Sequence, residues 1–290
     1  MIKRGFAHLG VFFLYLLSLL PLPLLYFFAR LLYYLLYYVI GYRKKVVRQN
    51  LVSSFPDKSA AEIKSIEKNY FKFLADLIFE IIKQSTISEK ETLKRFTFSG
   101  AEQLENHFRN GESILACTGH YGNWELGTLA LGLKTSAKTL VIYKPLTNKI
   151  FEQWINHLRT KYGNIFIAMR QTLRGMAAYK SEPTLLCFAS DQAPTREETK
   201  YFVDFLHQPT AALLGVEKIA KSTNRPIYYF KVSVLKRGYY HVDVLPMCLN
   251  PSVMEPFEIT NMHFNFLEKI INEQPQYWLW SHKRWKFKPE

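Results

Sequence analysis

The sequence predicts an α/β fold, with a mostly parallel central sheet covered by helices and an N-terminal membrane-anchoring helix. From Phe96 onward, short apolar stretches with strand character alternate with longer stretches of helical periodicity. Ahead of them, Leu9–Ala29 contains no charged residue over a length that can cross a bilayer. A chain of 290 residues, 48% of them hydrophobic, has enough material for the core of one large domain.

Residues 1–42 are interpreted as a transmembrane or re-entrant membrane anchor. A second uncharged run, residues 31–42, follows Arg30. Because Pro21 and Pro23 break or kink a helix, we expect either one tilted helix or a broken, re-entrant one. A cleaved signal peptide is the alternative, but no small-residue cleavage site follows the apolar run.

Basic residues flank this anchor on both sides. The flank that follows it is the more basic one, with Arg43, Lys44, Lys45 and Arg48 against Lys3 and Arg4 before it. The positive-inside rule therefore predicts that the α/β domain, residues 43–290, faces the cytoplasm.

A long amphipathic helix is predicted next. Its expected cap is Asp57 or Ser59, and its apolar positions keep helical spacing to about Gln84. We expect it to pack on the sheet or on the membrane-proximal helix, and we assign it no chemistry.

The remaining elements alternate along the chain. The predicted strands are 113–118, 139–143, 165–168, 184–189, 227–235 and 239–246. The predicted helices are 101–109, 124–134, 148–162, 171–180, 210–224 and 258–273. Lys236-Arg237-Gly238 is typical of a hairpin turn, so the last two strands should be antiparallel.

His120 is the leading catalytic candidate because it lies on a predicted strand-to-helix turn. Such turns in α/β sheets bind ligands, and the following helix offers free backbone N–H groups to developing negative charge. Glu125, five positions on, could hold the imidazole while His120 acts as a general base. The N–H groups of residues 121–123 are the expected oxyanion donors. In the alternative interpretation His120 only caps the helix and Glu125 is a solvated acid.

Polar residues also follow the other predicted strands. Tyr143 and Lys144 end the second strand, Arg170 follows the third, Asp191 and Gln192 follow the fourth, and Asp204 comes shortly after. An arginine at a strand end is a natural phosphate clamp. Arg159, late in a predicted helix, could bind phosphate or only satisfy the helix C-terminus.

Charge and cysteine content restrict the partners. The net charge of +14 suggests nucleic acid, anionic lipid headgroups or an acidic carrier protein. A nucleic-acid binder should carry a basic stripe with interleaved aromatics, and only the last ten residues approach one; with the anchor, this favours a membrane and no nucleic acid. Cys117, Cys187 and Cys248 have no metal-ligand spacing. No glycine-rich nucleotide fingerprint occurs, so we expect neither metal nor cofactor.

The string Gly119-His120-Tyr121-Gly122-Asn123-Trp124-Glu125 resembles the signature of the lysophospholipid acyltransferase superfamily, in its branch of bacterial lipid A late acyltransferases (lauroyl and myristoyl transferases). Tyr143-Lys144-Pro145 and the block Gln276–Lys286 resemble the same branch, as does the basic linker before Asn50-Leu51. The chain departs from the pattern of this branch in two segments. Residues 195–201 stand where a glycine-rich turn is expected, and residues 205–208 stand where aromatic residues followed by glycine are expected.

This resemblance implies an acyltransferase-type domain at the bacterial inner membrane. It implies transfer of an acyl chain from acyl carrier protein or acyl-coenzyme A to a hydroxyl of a lipid A precursor. The implied catalytic residues are His120 and Glu125; the implied substrate-binding residues are Asn123, Trp124, Tyr143, Lys144, Arg159, Arg170, Asp191, Gln192 and Asp204.

Three alternatives stay open. The acceptor could be a lysophospholipid, a glycolipid or an amino-lipid. The chain could instead be a membrane-anchored nucleic-acid binder or a non-catalytic scaffold, which would be indifferent to His120→Ala. Because no Ser or Cys nucleophile is paired with a histidine, and Cys117 is expected in the core, we expect direct attack in a ternary complex without an acyl-enzyme.

Overall fold

The computed structural model describes residues 2–289, with side chains from residue 5 onward. Its N-terminal part consists of α1 (Ile2–Leu19), α2 (Leu22–Tyr34) with a following π-helical turn (Leu35–Val39), and α3 (Lys44–Ser54). Of the two forms expected from the sequence, a single tilted helix and a broken one, the structure has the broken helix. Proline explains the break, because Pro21 is extended with ψ 148° and Pro23 occupies the first turn of α2.

Helix α2 lies against a 24-residue helix, α4 (Ala60–Lys83). Its inward residues Leu25, Ala29, Tyr33 and Tyr37 are buried. Of the two expected caps, Asp57 and Ser59, the structure has Ser59, whose side chain forms a capping box with Glu62 at the start of α4. By length and composition, Leu22–Val39 could cross a bilayer, although 28% of it is buried against the protein.

The outer side of the N-terminal helices is apolar and exposed. It carries Phe6, Leu9, Phe12 and Phe13 on α1, and Phe27, Leu31 and Tyr34 on α2. Soluble proteins rarely expose a continuous apolar surface of this kind.

A seven-stranded sheet forms the centre of the molecule. Its strands are β1 (Phe96–Ser99), β2 (Ile114–Thr118), β3 (Lys138–Tyr143), β4 (Ile165–Ala168), β5 (Thr184–Ala189), β8 (Ile227–Lys236) and β9 (Tyr239–Cys248), and their order is β1-β9-β8-β2-β5-β3-β4. All neighbours are parallel except the β8–β9 hairpin, which is antiparallel as predicted. A separate antiparallel pair consists of β6 (Phe202–Phe205) and β7 (Gln208–Ala211).

Helices flank the sheet. They are α5 (Glu89–Arg95), α6 (Glu102–Arg109), α7 (Trp124–Gly132), α8 (Lys149–Arg159), α9 (Thr172–Ala178), α10 (Gly215–Thr223) and α11 (Glu258–Glu273). The prediction of a helix from residue 210 is wrong, because 208–211 pair with β6 and α10 begins only at Gly215. Strand β1, which lies at one edge of the sheet, was not predicted.

Candidate active site

Two glycines shape the turn between β2 and α7. Gly122 has φ +61°, a left-handed conformation that favours glycine, and a Cβ there would lie 2.9 Å from a Val232 methyl group. At Gly119 a Cβ would approach Leu267 to 2.6 Å and Asp191 to 3.4 Å. The chain therefore passes close to its neighbours and places His120 at the carboxyl end of β2, as the sequence predicted.

Asp191 is the hydrogen-bond partner of His120. Its Oδ1 lies 2.5 Å from His120 Nδ1, and its Oδ2 accepts the His120 backbone N–H at 2.9 Å. Thr118 of β2 pairs with Ala189 of β5, so His120 and Asp191 stand at equal offsets beyond the ends of adjacent parallel strands. The sheet register thus brings the two side chains together.

The pair is electrostatically coupled. Burial disfavours the charged imidazole, but the Asp191 carboxylate outweighs it and raises the pKa of His120. Burial likewise opposes ionisation of Asp191, yet His120 and the hydrogen bond from Trp278 hold its pKa well below the usual range. With Nδ1–H directed at Asp191, Nε2 is the basic atom, and it accepts a hydrogen bond from the Gln192 amide nitrogen at 3.2 Å.

The C-terminal block covers Asp191. Trp278 Nε1 donates to Asp191 Oδ2 at 2.8 Å, and His282 Nε2 accepts the backbone N–H of Ala193 at 3.0 Å. Burial lowers the pKa of His282 to about 4, so this ring is a neutral acceptor near neutral pH. Arg43 and Asn50 of the basic linker bind the block in turn, at the carbonyl oxygens of residues 280–282.

Glu125 does not contact the His120 ring, so the predicted direct pairing is wrong. Its carboxylate makes two hydrogen bonds to Arg159, from Nε at 2.8 Å and from Nη2 at 2.5 Å. Burial opposes the Arg159 charge, but Glu125 outweighs it and raises the pKa of the guanidinium. From the first turn of α7, the Glu125 side chain is therefore directed towards Arg159 at the end of α8. Arg159 was predicted to bind phosphate, but in the structure its guanidinium is already paired with the Glu125 carboxylate.

Asn123 is a fully buried helix cap. Its Oδ1 accepts the Leu126 N–H at 2.9 Å, and its Nδ2 donates to buried Glu80 at 2.7 Å. This placement favours a supporting role, and its predicted contact with substrate stays a prediction. The neighbouring Trp124 stands edge-on to the His120 ring, with centroids 5.1 Å apart.

The expected oxyanion donors need a correction. The N–H of Tyr121 donates to Gly119 O at 2.8 Å and that of Gly122 to Tyr277 O at 3.0 Å. These two groups are occupied. Within the described part of the chain, the N–H groups of Asn123 and Trp124 have no acceptor.

The other predicted residues are spread along the sheet edge. Tyr143 donates to Glu152 at 2.7 Å, while Lys144 and Arg170 are exposed and have no hydrogen-bond partner among the described side chains. Arg170 follows β4, which is separated from β2 by β5 and β3, a distance of about 14 Å at the usual strand spacing. Asp204 lies exposed on β6, outside the seven-stranded sheet.

Cys117 is buried in β2, and burial raises the pKa of its thiol, as expected for a core cysteine. The contacts among Asp191, Trp278 and His282 could not be predicted from local sequence patterns, because they join distant segments. A usable signal was that Asp191 follows an apolar strand in the same way as His120.

Comparison with known proteins gives a consistent result. A family model described as "Bacterial lipid A biosynthesis acyltransferase" matches residues 1–287. The chain is 23% identical over 249 residues, 85% of its length and 80% of the other protein's, to the "Lipid A biosynthesis palmitoleoyltransferase" of Escherichia coli strain K12. It is 22% identical over 285 residues, 97% and 92% of the two lengths, to the "Lipid A biosynthesis lauroyltransferase" of the same strain.

Proposed function

The chain belongs to the family of bacterial lipid A biosynthesis acyltransferases, and from this premise we propose that it transfers a fatty acyl chain from a thioester donor to a hydroxyl group of a lipid A precursor. Acyl transfer in lipid A biosynthesis follows from the family itself. The donor, acyl carrier protein, and the hydroxyl acceptor are parts of the proposal.

The pairing of His120 with Asp191 carries this proposal. Asp191 fixes the Nδ1–H tautomer at 2.5 Å, which leaves Nε2 to accept a proton from the acceptor hydroxyl. The hydroxyl oxygen then attacks the thioester carbonyl, and a tetrahedral oxyanion forms. Collapse breaks the carbon–sulfur bond, and the departing thiolate receives the proton held on Nε2. The sequence also predicts that Glu125 is catalytic. In the present proposal Glu125 instead supports the site, because it holds Arg159 at the end of α8.

Stabilisation of the oxyanion is assigned to the start of α7. Among the described residues the N–H groups of Asn123 and Trp124 lack an acceptor; Asn123 is fully buried whereas Trp124 is partly exposed, so the Trp124 N–H is the proposed donor, and the N-terminus of a helix favours negative charge. The buried Asn123 side chain holds this end of the helix in place.

Exposed cations at the same sheet edge support an anionic substrate. Lys144 and Arg170 follow β3 and β4 on the side of the sheet where His120 follows β2. Because they are not engaged inside the protein, they are free to bind acceptor phosphates or the acidic surface of a carrier protein.

We also propose that the anchor is re-entrant. Tyr26, near the start of α2, donates to Glu80, and Tyr37, beyond its end, donates to Glu67. Helix α2 therefore lies along α4 over its whole length, and α4 carries exposed lysines that exclude it from hydrocarbon. The exposed apolar side of α1 and α2 would then enter one leaflet, with the catalytic domain on the cytoplasmic face of the inner membrane.

The decisive experiment is acyl transfer by the purified full-length protein. Acyl-acyl carrier protein and a lipid A precursor are supplied, and the product is identified by mass spectrometry. We expect one added acyl chain, and a loss of about 10²–10⁴-fold in turnover for His120→Ala, the usual contribution of a general base. His157→Ala, an exposed histidine on α8, is the matched control.

Parallel reactions separate the alternatives. Equal rates with acyl-coenzyme A would remove the carrier protein from the proposal. Transfer to a lysophospholipid but not to the lipid A precursor would change the acceptor. Activity of His120→Ala equal to that of the wild type would refute the mechanism.

A further inference from the structure

Arg30 is an unusual residue in the N-terminal segment. It is the one charged residue between Leu9 and Tyr42, in helices whose outer side is apolar. An ionisable residue in such a setting is energetically unfavourable unless it faces water, a partner or a ligand. Among the described residues, no carboxylate lies within ion-pair distance of Arg30.

The structure shows what Arg30 faces. It lines a cavity of about 580 Å³ between α2, α4 and the β8–β9 hairpin, a volume within the range of ligand sites. Further lining side chains are Tyr33 and Tyr34 on α2, Asn69, Lys72 and Phe73 on α4, and Tyr277.

The uncompensated charge of this cavity is positive. Two acids also line it, but Asp76 is bound by Arg237 through two hydrogen bonds of 2.7 and 2.5 Å. Glu80 accepts hydrogen bonds from Tyr26, Asn123 and Tyr240, and burial raises its pKa. Arg30 and Lys72 therefore remain without an acidic partner among the described residues. The only hydrogen bond of Lys72 among these residues is a long one of 3.4 Å to Asn69.

We propose that this cavity binds the phosphate-bearing headgroup of a membrane lipid, held by Arg30 and Lys72. Its wall on α2 belongs to the helix that also exposes Phe27 and Leu31 next to Arg30, so the cavity borders the apolar surface at the level where lipid headgroups would meet the acyl region. Tyrosines such as Tyr33 and Tyr34 are suited to the same interface. The lipid's acyl chains would run along the exposed apolar surface of the helix.

This site is separate from the catalytic one. None of His120, Asp191, Trp124 or Arg159 lines the cavity. Its closest links to the catalytic turn are Glu80, which accepts a hydrogen bond from the Asn123 side chain, and Tyr277, whose carbonyl oxygen accepts the Gly122 N–H. The inference goes beyond acyl transfer and rests only on the membrane association proposed above.

Native mass spectrometry of the full-length protein in neutral detergent tests the inference. The probe is a short-chain phosphatidylglycerol, titrated without acceptor or donor. We expect the double variant Arg30→Gln/Lys72→Gln to bind it about tenfold more weakly, because two charge-assisted contacts are lost. The control Lys90→Gln/Lys94→Gln removes the same charge from two exposed positions on α5 and should bind as the wild type does.

Other outcomes have definite meanings. Unchanged binding by the double variant, with an unchanged melting temperature, would overturn the proposal. If inorganic phosphate displaced the phosphatidylglycerol at equal concentration, the cavity would be a site for free anions and the proposal of a lipid site would be wrong. One-for-one displacement by a lipid A precursor would make the cavity part of the acceptor site. Binding by His120→Ala equal to the wild type is expected, and it separates this result from any failure of the acyl-transfer assay.

Discussion

At the scale of single residues, Asp191 carries the most concentrated set of interactions in the site. Its two oxygens accept from the His120 ring, the His120 backbone and the Trp278 indole, at 2.5 to 2.9 Å. Only 2% of the Asp191 surface is exposed, so these three donors replace the hydrogen bonds that water would make to the carboxylate. Its charge is therefore stabilised in one position, directed at the ring that it orients.

Replacing Asp191 by Asn tests this role. The amide no longer stabilises an imidazolium, so we expect kcat to fall by about 10²–10⁴-fold. Because His120 and Asp191 act as one unit, the double variant with His120→Ala should be no slower than the slower single variant. Steady-state kinetics of the four proteins decides this, with Asp57→Asn, an exposed acid, as the control; additive losses would contradict it.

The pH dependence of kcat/KM tests the same pair. Only the neutral imidazole accepts a proton, and the pKa of His120 is raised because Asp191 outweighs burial. Activity should therefore decline as the pH falls through a value above the ordinary histidine pKa of about 6.5. In Asp191→Asn the largest opposing effect is lost, and burial acts against only the smaller, mutually opposed effects of Glu125 and Arg159 on the His120 pKa, so the acid limb should move to lower pH. An acid limb at the same pH in both proteins would assign it to another group.

At the scale of elements, the start of α7 depends on a side chain that serves two purposes. Asn123 caps the helix and also donates to Glu80, which is buried and shared with Tyr26 and Tyr240. The turn that presents His120 is thereby tied to α2, α4 and β9.

Removal of this cap should be more damaging than removal of an ordinary one. Asn123→Ala loses the cap and leaves Glu80 one donor short, so we expect a loss of about 2–3 kcal/mol in the free energy of unfolding. Asn148→Ala is the matched control, because Asn148 caps α8 at an exposed position and its loss should be about 1 kcal/mol. Urea unfolding in detergent measures both, and equal losses would contradict the role assigned to Glu80.

Elements set by local signals could be predicted from the sequence. The Ser59–Glu62 capping box and the turn at Arg237-Gly238 lie within a few residues of the elements they define. Strand β7 could not be predicted, because 208–211 are extended only through pairing with β6. The same applies to the partner of His120: proximity in sequence favoured Glu125, whereas the order of β2 and β5 in the sheet selects Asp191.

At the scale of the whole molecule, the N-terminal helices are part of the folded domain. Leu25 and Ala29 of α2 are completely buried, and Lys83 at the end of α4 donates to the carbonyls of Ser18 and Leu20. These contacts make the segment part of the folded domain, and its exposed apolar side is the surface that the proposed re-entrant anchor would place in the membrane.

Membrane topology can be measured at Gly5, an exposed position near the start of α1. If the anchor is re-entrant, Gly5→Cys should react with a membrane-impermeant maleimide only after spheroplasts are lysed, since both ends of the anchor then lie in the cytoplasm. Lys90→Cys on α5 is the cytoplasmic control. Labelling of Gly5→Cys in intact spheroplasts would show instead that the anchor spans the membrane.

The C-terminal block has a consequence for the order of events during synthesis. Trp278 and His282, which cover Asp191, are synthesised well after the segment that binds their block through Asn50. A growing chain that already contains the N-terminal helices therefore still lacks the cover of Asp191. On the mechanism proposed above, a nascent chain would be inactive until this block is released and folds onto the sheet.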